Sequence, residues 1–173
     1  MTNAGAPSGH VYAVALGSNR ALSAALGPRR IVESAFAALD EAPLRLLARS
    51  PIVTTRPLGP SLRAYANAAA IVTTNLEPLA MLDRLQHIEQ RFHRRRYRRW
   101  GPRTLDLDLL LWSGGSIACK RLTVPHPALR ERLFVLEPLH RIAPDWRDPG
   151  TGLAIRHLFA RLNRARPVRS NPG

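Results

Sequence analysis

Apolar positions recur along this chain at two spacings, and the alternation between them predicts a layered fold of strands and helices. Val11–Leu16 is a short apolar, β-prone run that closes at Gly17-Ser18-Asn19, a turn signal. Pro28 suits the first turn of a helix, where its missing N–H costs nothing. Ile31, Val32, Ala35, Phe36 and Leu39 then follow at helical spacing and give that helix one apolar face. Leu44–Val53 reads as extended chain bent at Pro51. The stretch from Thr54 to Pro60 reads as a loop, because two prolines and a glycine exclude regular structure. Tyr65–Thr74 predicts a buried strand. Pro78 opens a second helix, with Leu79, Leu82, Leu85, Ile88 and Phe92 as its buried stripe. Leu105–Trp112 reads as a further strand.

The resulting order is strand, helix, strand, strand, helix, strand. It predicts an α+β fold with a ferredoxin-like βαββαβ core, an antiparallel sheet carrying both helices on one face. Short C-terminal helices are expected at Ala128–Leu133 and Gly152–Leu162. No internal repeat is visible, and the 173 residues read as a single domain with loose ends over residues 1–10 and about 164–173.

Composition narrows the class. Apolar residues make up 45% of the chain, ordinary for a globular protein, and no run reaches the roughly 20 apolar residues of a membrane span. The first ten residues lack the apolar centre of a signal peptide, and the single cysteine, Cys119, has no intrachain partner. The expectation is a cytoplasmic protein that does not touch a membrane. A net charge of +14 points to an anionic ligand, and the charge is concentrated: Arg91, Arg94, Arg95, Arg96, Arg98, Arg99 and Arg103 fall close together. Each of them alone reads equally well as part of a solvated face.

Asp106-Leu107-Asp108 adds chemistry to this charge. On a strand, residues i and i+2 share a face, so both carboxylates project together while Leu105, Leu107 and Leu109 turn the other way. Side by side, two carboxylates repel unless a cation lies between them, and hard oxygen ligands suit magnesium. The alternative is a pair of exposed acids on an edge strand. Arg99-Trp100-Gly101-Pro102-Arg103-Thr104 runs directly into the pair. Gly101-Pro102 forces a turn that can carry Arg99 and Arg103 to the same mouth, where guanidinium groups stabilise phosphate charge.

The segment from Arg99 to Leu110 resembles the signature of the 6-hydroxymethyl-7,8-dihydropterin pyrophosphokinases. Further blocks fall in that family's order: Ala15–Asn19, Thr55–Gly59 with Tyr65 and Asn67, Gln86–Glu89, Val124-Pro125-His126 and Arg132–Phe134. The resemblance covers roughly Tyr12 to Pro144. It implies a ferredoxin-like enzyme of folate biosynthesis that moves the β,γ-diphosphate of ATP to the pterin's hydroxymethyl oxygen and releases AMP.

Carried over by residue, the resemblance implies that Asp106 and Asp108 hold two Mg2+ ions and that Arg94 and Arg103 contact the transferring phosphates. Gln86, Arg96, Arg99, Trp100, Arg121, Thr123, His126 and Arg132 would line the ATP side. Asn67 would read the pterin's polar edge, assisted by Thr55 and the Leu58 backbone, between aromatic walls supplied by Tyr65 and Phe134. A flat, polar-edged bicycle is suited by two aromatic walls and an amide that both donates and accepts.

Other readings stay open for several of these residues. Tyr65 and Phe134 could be plain core, His126 could cap a turn, and Gln86 with Glu89 could be the wet face of their helix. The chain also departs from the family pattern. His93-Arg94 stands where a Gly-Arg pair is common, the loop up to Trp100 is about one residue short, and Arg56–Ala64 lacks residues usual before the pocket aromatic. Two alternatives follow: a paralogue acting on a different pterin-like alcohol, and a basic nucleic-acid-binding module. The enzyme reading expects a monomer that binds no nucleic acid.

Overall fold

The structure is a computed structural model and describes residues 9–55, 65–92 and 104–164. Strand β1 (His10–Ser18) is followed by helix α1 (Pro28–Ala38). Strands β2 (Arg45–Arg49), β3 (Val53–Thr55) and β4 (Tyr65–Thr74) come next, and then helix α2 (Pro78–Arg91) and strand β5 (Asp106–Trp112). A small hairpin, β6 (Ile117–Ala118) and β7 (Thr123–Val124), leads to α3 (Leu133–Ile142) and α4 (Ile155–Arg164). The main sheet runs β2-β4-β1-β5, antiparallel throughout, with β3 also paired to β4. This is the ferredoxin-like arrangement expected from the element order.

Both long helices start as their prolines suggest, Pro28 and Pro78 each lying in the first turn. On α1, Ile31, Val32, Ala35 and Phe36 are buried as the periodicity requires. On α2 the buried stripe differs from the expected one. Met81 is fully buried and Leu79 is exposed, because the helix is rotated so that Met81, Leu85 and Ile88 meet the sheet. Phe92 and Leu82 flank that contact, partly buried. Glu89 is also buried, so it is not on a wet face.

The sheet is covered on both faces. One core joins α1 and α2 to Leu16, Ala66, Ala68, Leu107 and Leu109. A second joins α3 and α4 to Ala13, Ala69, Ile71, Leu110 and Leu111. The two core helices share one face as expected, and the C-terminal helices, whose place the element order left open, cover the other. The sheet's strands carry the marks of two-sided burial: Ala66–Val72 is buried at every position. The apolar face of α3 (Val135, Leu136, Leu139) needs that cover.

Local boundaries move for identifiable reasons. The strand expected to end at Gly17 continues through Ser18, because Gly17 and Ser18 pair with Asn67 and Ala66 of β4. Thr54 and Thr55, read as loop, belong to β3 and pair with Ala66 and Tyr65. Pro51 does interrupt the extended segment. Ser50 splices the break, its backbone N–H donating to Ala69 O and its hydroxyl accepting from Ala69 N, both at 2.9 Å. Residues 128–131 form turns rather than the expected helix, and α3 starts at Leu133 although Pro138 lies inside it and cannot supply an N–H. The last helix begins three residues later than Gly152, which takes a positive φ of 72° in the turn before α4. Of the expected loose ends, 1–10 and about 164–173, His10 opens β1 and Arg164 closes α4, while residues 1–8 and 165–173 lie outside the described residues.

In β5 a bulge changes which way the side chains point. Val14 of β1 faces Leu109 and Ala13 faces Leu111, so Leu110 is the extra residue. Leu107 and Leu109 therefore join the α1–α2 core, while Leu110 and Leu111 both join the α3–α4 core. No helix among the described residues is long and apolar enough to cross a membrane.

Candidate active site

Strand pairing brings the sequence-predicted residues into one row. Gly17 of β1 faces Asn67 of β4 on one side and Asp106 of β5 on the other. One pleat along, Ala15 lies between Ala69 and Asp108. Because side chains alternate, Tyr65, Asn67, Gly17, Ala15, Asp106 and Asp108 all share the face opposite α1 and α2. The two central positions carry little or no side chain. A Cβ placed on Gly17 would meet Asn67 Oδ1 at 3.6 Å, so the row has an open floor between the amide and the carboxylates.

Further along the same face, α3 and α4 fill the space with Val135, Leu136, Leu139, Ile155 and Leu158. The polar row lies toward the end that they leave uncovered: Asp106 and Asp108 are half-buried and Asn67 is buried. Their neighbours in sequence, Leu105, Leu107 and Leu109, are buried on the α1–α2 side, as the period of two predicted.

His126 is anchored beside this pair. It follows the cis Val124-Pro125 peptide, and its backbone N–H donates to Leu110 O at 2.9 Å. The Nδ1 atom accepts the Ala128 N–H at 3.1 Å, which assigns the ring proton of the neutral imidazole to Nε2. Nε2 lies 3.9 Å from an Asp108 carboxylate oxygen. His126 thus caps a turn while its Nε2 lies toward Asp108.

The remaining expected residues are spread around the row. Phe134, in the first turn of α3, is 45% exposed, and Tyr65, at the start of β4, is 36% exposed. Neither is plain core. Arg132 occupies the N-cap position of α3 without a side-chain capping hydrogen bond, and its guanidinium lies over the Phe134 ring, 5.8 Å from its centroid. Thr123 is exposed on β7. Arg121, on the same hairpin, forms an ion pair with Asp83 of α2, tying the hairpin to that helix. Gln86 is half-buried on α2. Thr55 is placed only through its backbone pairing with Tyr65. Leu58, Arg94, Arg96, Arg99, Trp100 and Arg103 lie outside the described residues.

One residue of the site region was missed by its expected role. Glu89, on α2, is 2% exposed and accepts the backbone N–H of Leu107 at 2.8 Å. Its i, i+3 spacing from Gln86 gave only an ambiguous signal. The face it occupies is decided by how α2 rolls on the sheet.

With this geometry in place, comparison with known proteins is specific. The family model for 7,8-dihydro-6-hydroxymethylpterin-pyrophosphokinase matches residues 13–144. A 2-amino-4-hydroxy-6-hydroxymethyldihydropteridine pyrophosphokinase of Pseudomonas aeruginosa is 46% identical over 138 residues, covering 79% of this chain and 82% of that one. The protein of the same name from Haemophilus influenzae is 41% identical, covering 73% and 79% of the two chains. Among solved structures, the Plasmodium falciparum HPPK-DHPS chain with pteroate aligns over 88% of this chain with a TM-score of 0.68. At 13% identity, and with only 42% of that longer chain covered, it supports the fold alone. The chain belongs to the 7,8-dihydro-6-hydroxymethylpterin-pyrophosphokinase family.

Proposed function

We propose that the chain transfers the β,γ-diphosphate of ATP to the hydroxymethyl oxygen of 6-hydroxymethyl-7,8-dihydropterin, leaving AMP, with Asp106 and Asp108 as the magnesium ligands. It is an ATP-dependent diphosphotransferase, the activity its family is named for. The single observation that carries the residue-level reading is the row Asn67–Gly17–Asp106, with Asp108 one pleat away. It sets an amide able to read a pterin edge on the same open face as two carboxylates.

The donor set fits magnesium. The two carboxylates are half-buried oxygen ligands on one face, and no group of three or more His, Cys, Asp or Glu side chains forms a closed metal cage among the described residues. Such a partial set suits an ion that keeps water and phosphate oxygens in its shell. When bound, magnesium would gather the phosphate oxygens of ATP and offset their charge. We assign two such ions to the pair.

The chain's own residues supply position and charge. Asn67 orients the pterin, with Thr55 and the Leu58 backbone, and Tyr65 and Phe134 stack on its faces. His126, through Nε2–H, and Arg132 contact the triphosphate, with Gln86, Arg96, Arg99, Trp100, Arg121 and Thr123 along the nucleotide. Arg94 and Arg103 neutralise the transferring group. In-line attack on the β-phosphorus then needs little covalent chemistry from the protein, and positioning provides most of the acceleration. The enzyme acts as a cytoplasmic monomer and needs no nucleic acid.

The test is AMP release from ATP and Mg2+, with and without 6-hydroxymethyl-7,8-dihydropterin, with chromatography of the pterin product. Pterin-dependent AMP together with a pterin diphosphate is the expected result. ATP binding without such turnover would overturn the substrate assignment in favour of a different pterin-like alcohol.

A further inference from the structure

We propose that Glu89 is a positioning residue: its buried carboxylate pins the backbone of β5 at Leu107 and thereby aims Asp106 and Asp108 at the same point. The inference rests on the reading of those two aspartates as metal ligands.

The argument begins with the sheet. Among the described residues β5 is an edge strand of the main sheet, paired there with β1 alone. An edge strand leaves alternate backbone groups turned outward, and a buried one needs a partner. For Leu107 that partner is Glu89 Oε1, at 2.8 Å, reaching from α2. Leu107 is the residue between the two aspartates, so fixing its peptide fixes the direction in which both neighbouring side chains leave the strand.

The strand has a specific need for such a pin. Its bulge at Leu110 means that the half bearing the aspartates is one residue out of step with the half that follows. Moving the bulge toward the N-terminal end of β5 would flip faces, turning the aspartates toward the α1–α2 core and the leucines outward. Two contacts outside the β1 ladder oppose this. Glu89 holds the Leu107 N–H, and the His126 N–H holds the Leu110 carbonyl at 2.9 Å. The first comes from α2 and the second from the turn after β7, so the bulge is gripped from both sides. A hydrogen bond to a carboxylate is stronger than one to a neutral amide, which is a reason for an acid at this buried position.

The experiment compares Glu89→Gln, Glu89→Leu and Asp108→Ala with the parent chain. Readouts are amide hydrogen exchange at Leu107 in the metal-free protein, Mn2+ binding in the presence of a non-hydrolysable ATP analogue, and steady-state constants. Glu89→Leu is expected to speed Leu107 exchange by about tenfold or more and to weaken Mn2+ binding by a similar factor, with the pterin KM little changed. Glu89→Gln, which keeps an acceptor, should fall between the two. Leu107 exchange and Mn2+ binding unchanged in folded Glu89→Leu would overturn the proposal. So would a parallel decline of every constant with thermal stability, which marks a purely structural role. If Glu89→Leu does not fold, Glu89→Gln decides by the same two readouts. Unchanged Mn2+ binding in Asp108→Ala would instead sink the metal assignment itself.

Discussion

The Nε2 atom of His126 lies 3.9 Å from the carboxylate of Asp108, while the other nitrogen of the same ring accepts the Ala128 N–H. The turn thereby holds the ring in the tautomer whose N–H faces the carboxylate side of the site. At 3.9 Å the two atoms are close neighbours but too far apart for a direct hydrogen bond. His126→Ala is expected to lower kcat/KM for MgATP by roughly 10- to 100-fold. His126→Asn, whose side-chain oxygen can still accept from Ala128, should keep the parent's thermal stability while losing the same activity. Steady-state kinetics beside thermal denaturation checks both.

Asp106 and Asp108 face away from the α1–α2 core and are only half-buried on the side where α3 and α4 pack, so replacing either should leave the fold standing. Asp108→Ala is expected to cost at least about 4 kcal/mol of transition-state stabilisation, on the order of 10³-fold in kcat. Pterin-dependent AMP release, measured on a variant with an unchanged circular dichroism spectrum, is the check. Near-parental turnover would remove the pair from the mechanism.

Phe134 spends nearly half its surface in solvent although it opens the first turn of α3. A ring so exposed contributes little to folding, and Phe134→Ala is expected to change stability by no more than about 1 kcal/mol. Loss of a stacking wall should raise the pterin KM by roughly tenfold, leaving the ATP KM near the parent value. Equal losses in both constants would point to a disturbed α3 rather than a lost wall.

Gly17 offers a sharper steric test. Its missing side chain faces Asn67 across an ordinary van der Waals gap of 3.6 Å, so Gly17→Ala should fold without strain. The added methyl would stand on the open floor between Asn67 and Asp106. The expected outcome is weaker pterin binding with intact Mg2+ and ATP binding, measured by calorimetric titration of each ligand. Unaltered pterin affinity would place the pterin elsewhere.

Arg130 and Asp148 form a clasp outside the site. Asp148 is fully buried and receives Arg130 Nε at 2.7 Å and Nη2 at 2.8 Å, the Thr151 hydroxyl at 2.8 Å and the Gly150 N–H at 3.0 Å. Burial alone would raise the carboxyl's pKa. The Arg130 hydrogen bonds, helped by Thr151 and Gly150, outweigh it and hold the group below the usual carboxylate range. A pKa depressed on folding contributes stability that is present above the unfolded value, about 3.9, and is lost as pH falls through the lower folded value. Arg130→Ala should therefore destabilise the protein at pH 7 by about 2–3 kcal/mol. That is less than the 3–5 of a fully buried pair, because Arg130 itself is partly open to solvent. Urea unfolding of the parent and variant from pH 7 down to pH 3 checks both the size and the acid limb.

How much of this was legible in sequence varies with the range of the interaction that decides it. Strand β4 was readable to the residue, and the starts of α1 and α2 were marked by Pro28 and Pro78, because backbone restriction and apolar period are local properties. The shared face of Asp106 and Asp108 was equally local, following from the period of two. The motif residues from Arg99 to Leu110 pointed to the family directly.

What the local pattern could not decide was set by packing between distant segments. Whether Glu89 is wet or buried depends on the roll of α2 against β5, 18 residues away in the chain. That α3 forms through Pro138, against its propensity, depends on a second sheet face needing cover. The bulge at Leu110 and the meeting of His126 with Asp108 likewise exist only once β1, β5 and the turn after β7 are assembled. Chain chemistry determined which groups are present and which way each strand directs them. Only the tertiary structure brought Asn67, Gly17 and Asp106 into one row, because pairing across three strands joins residues that no sequence period connects.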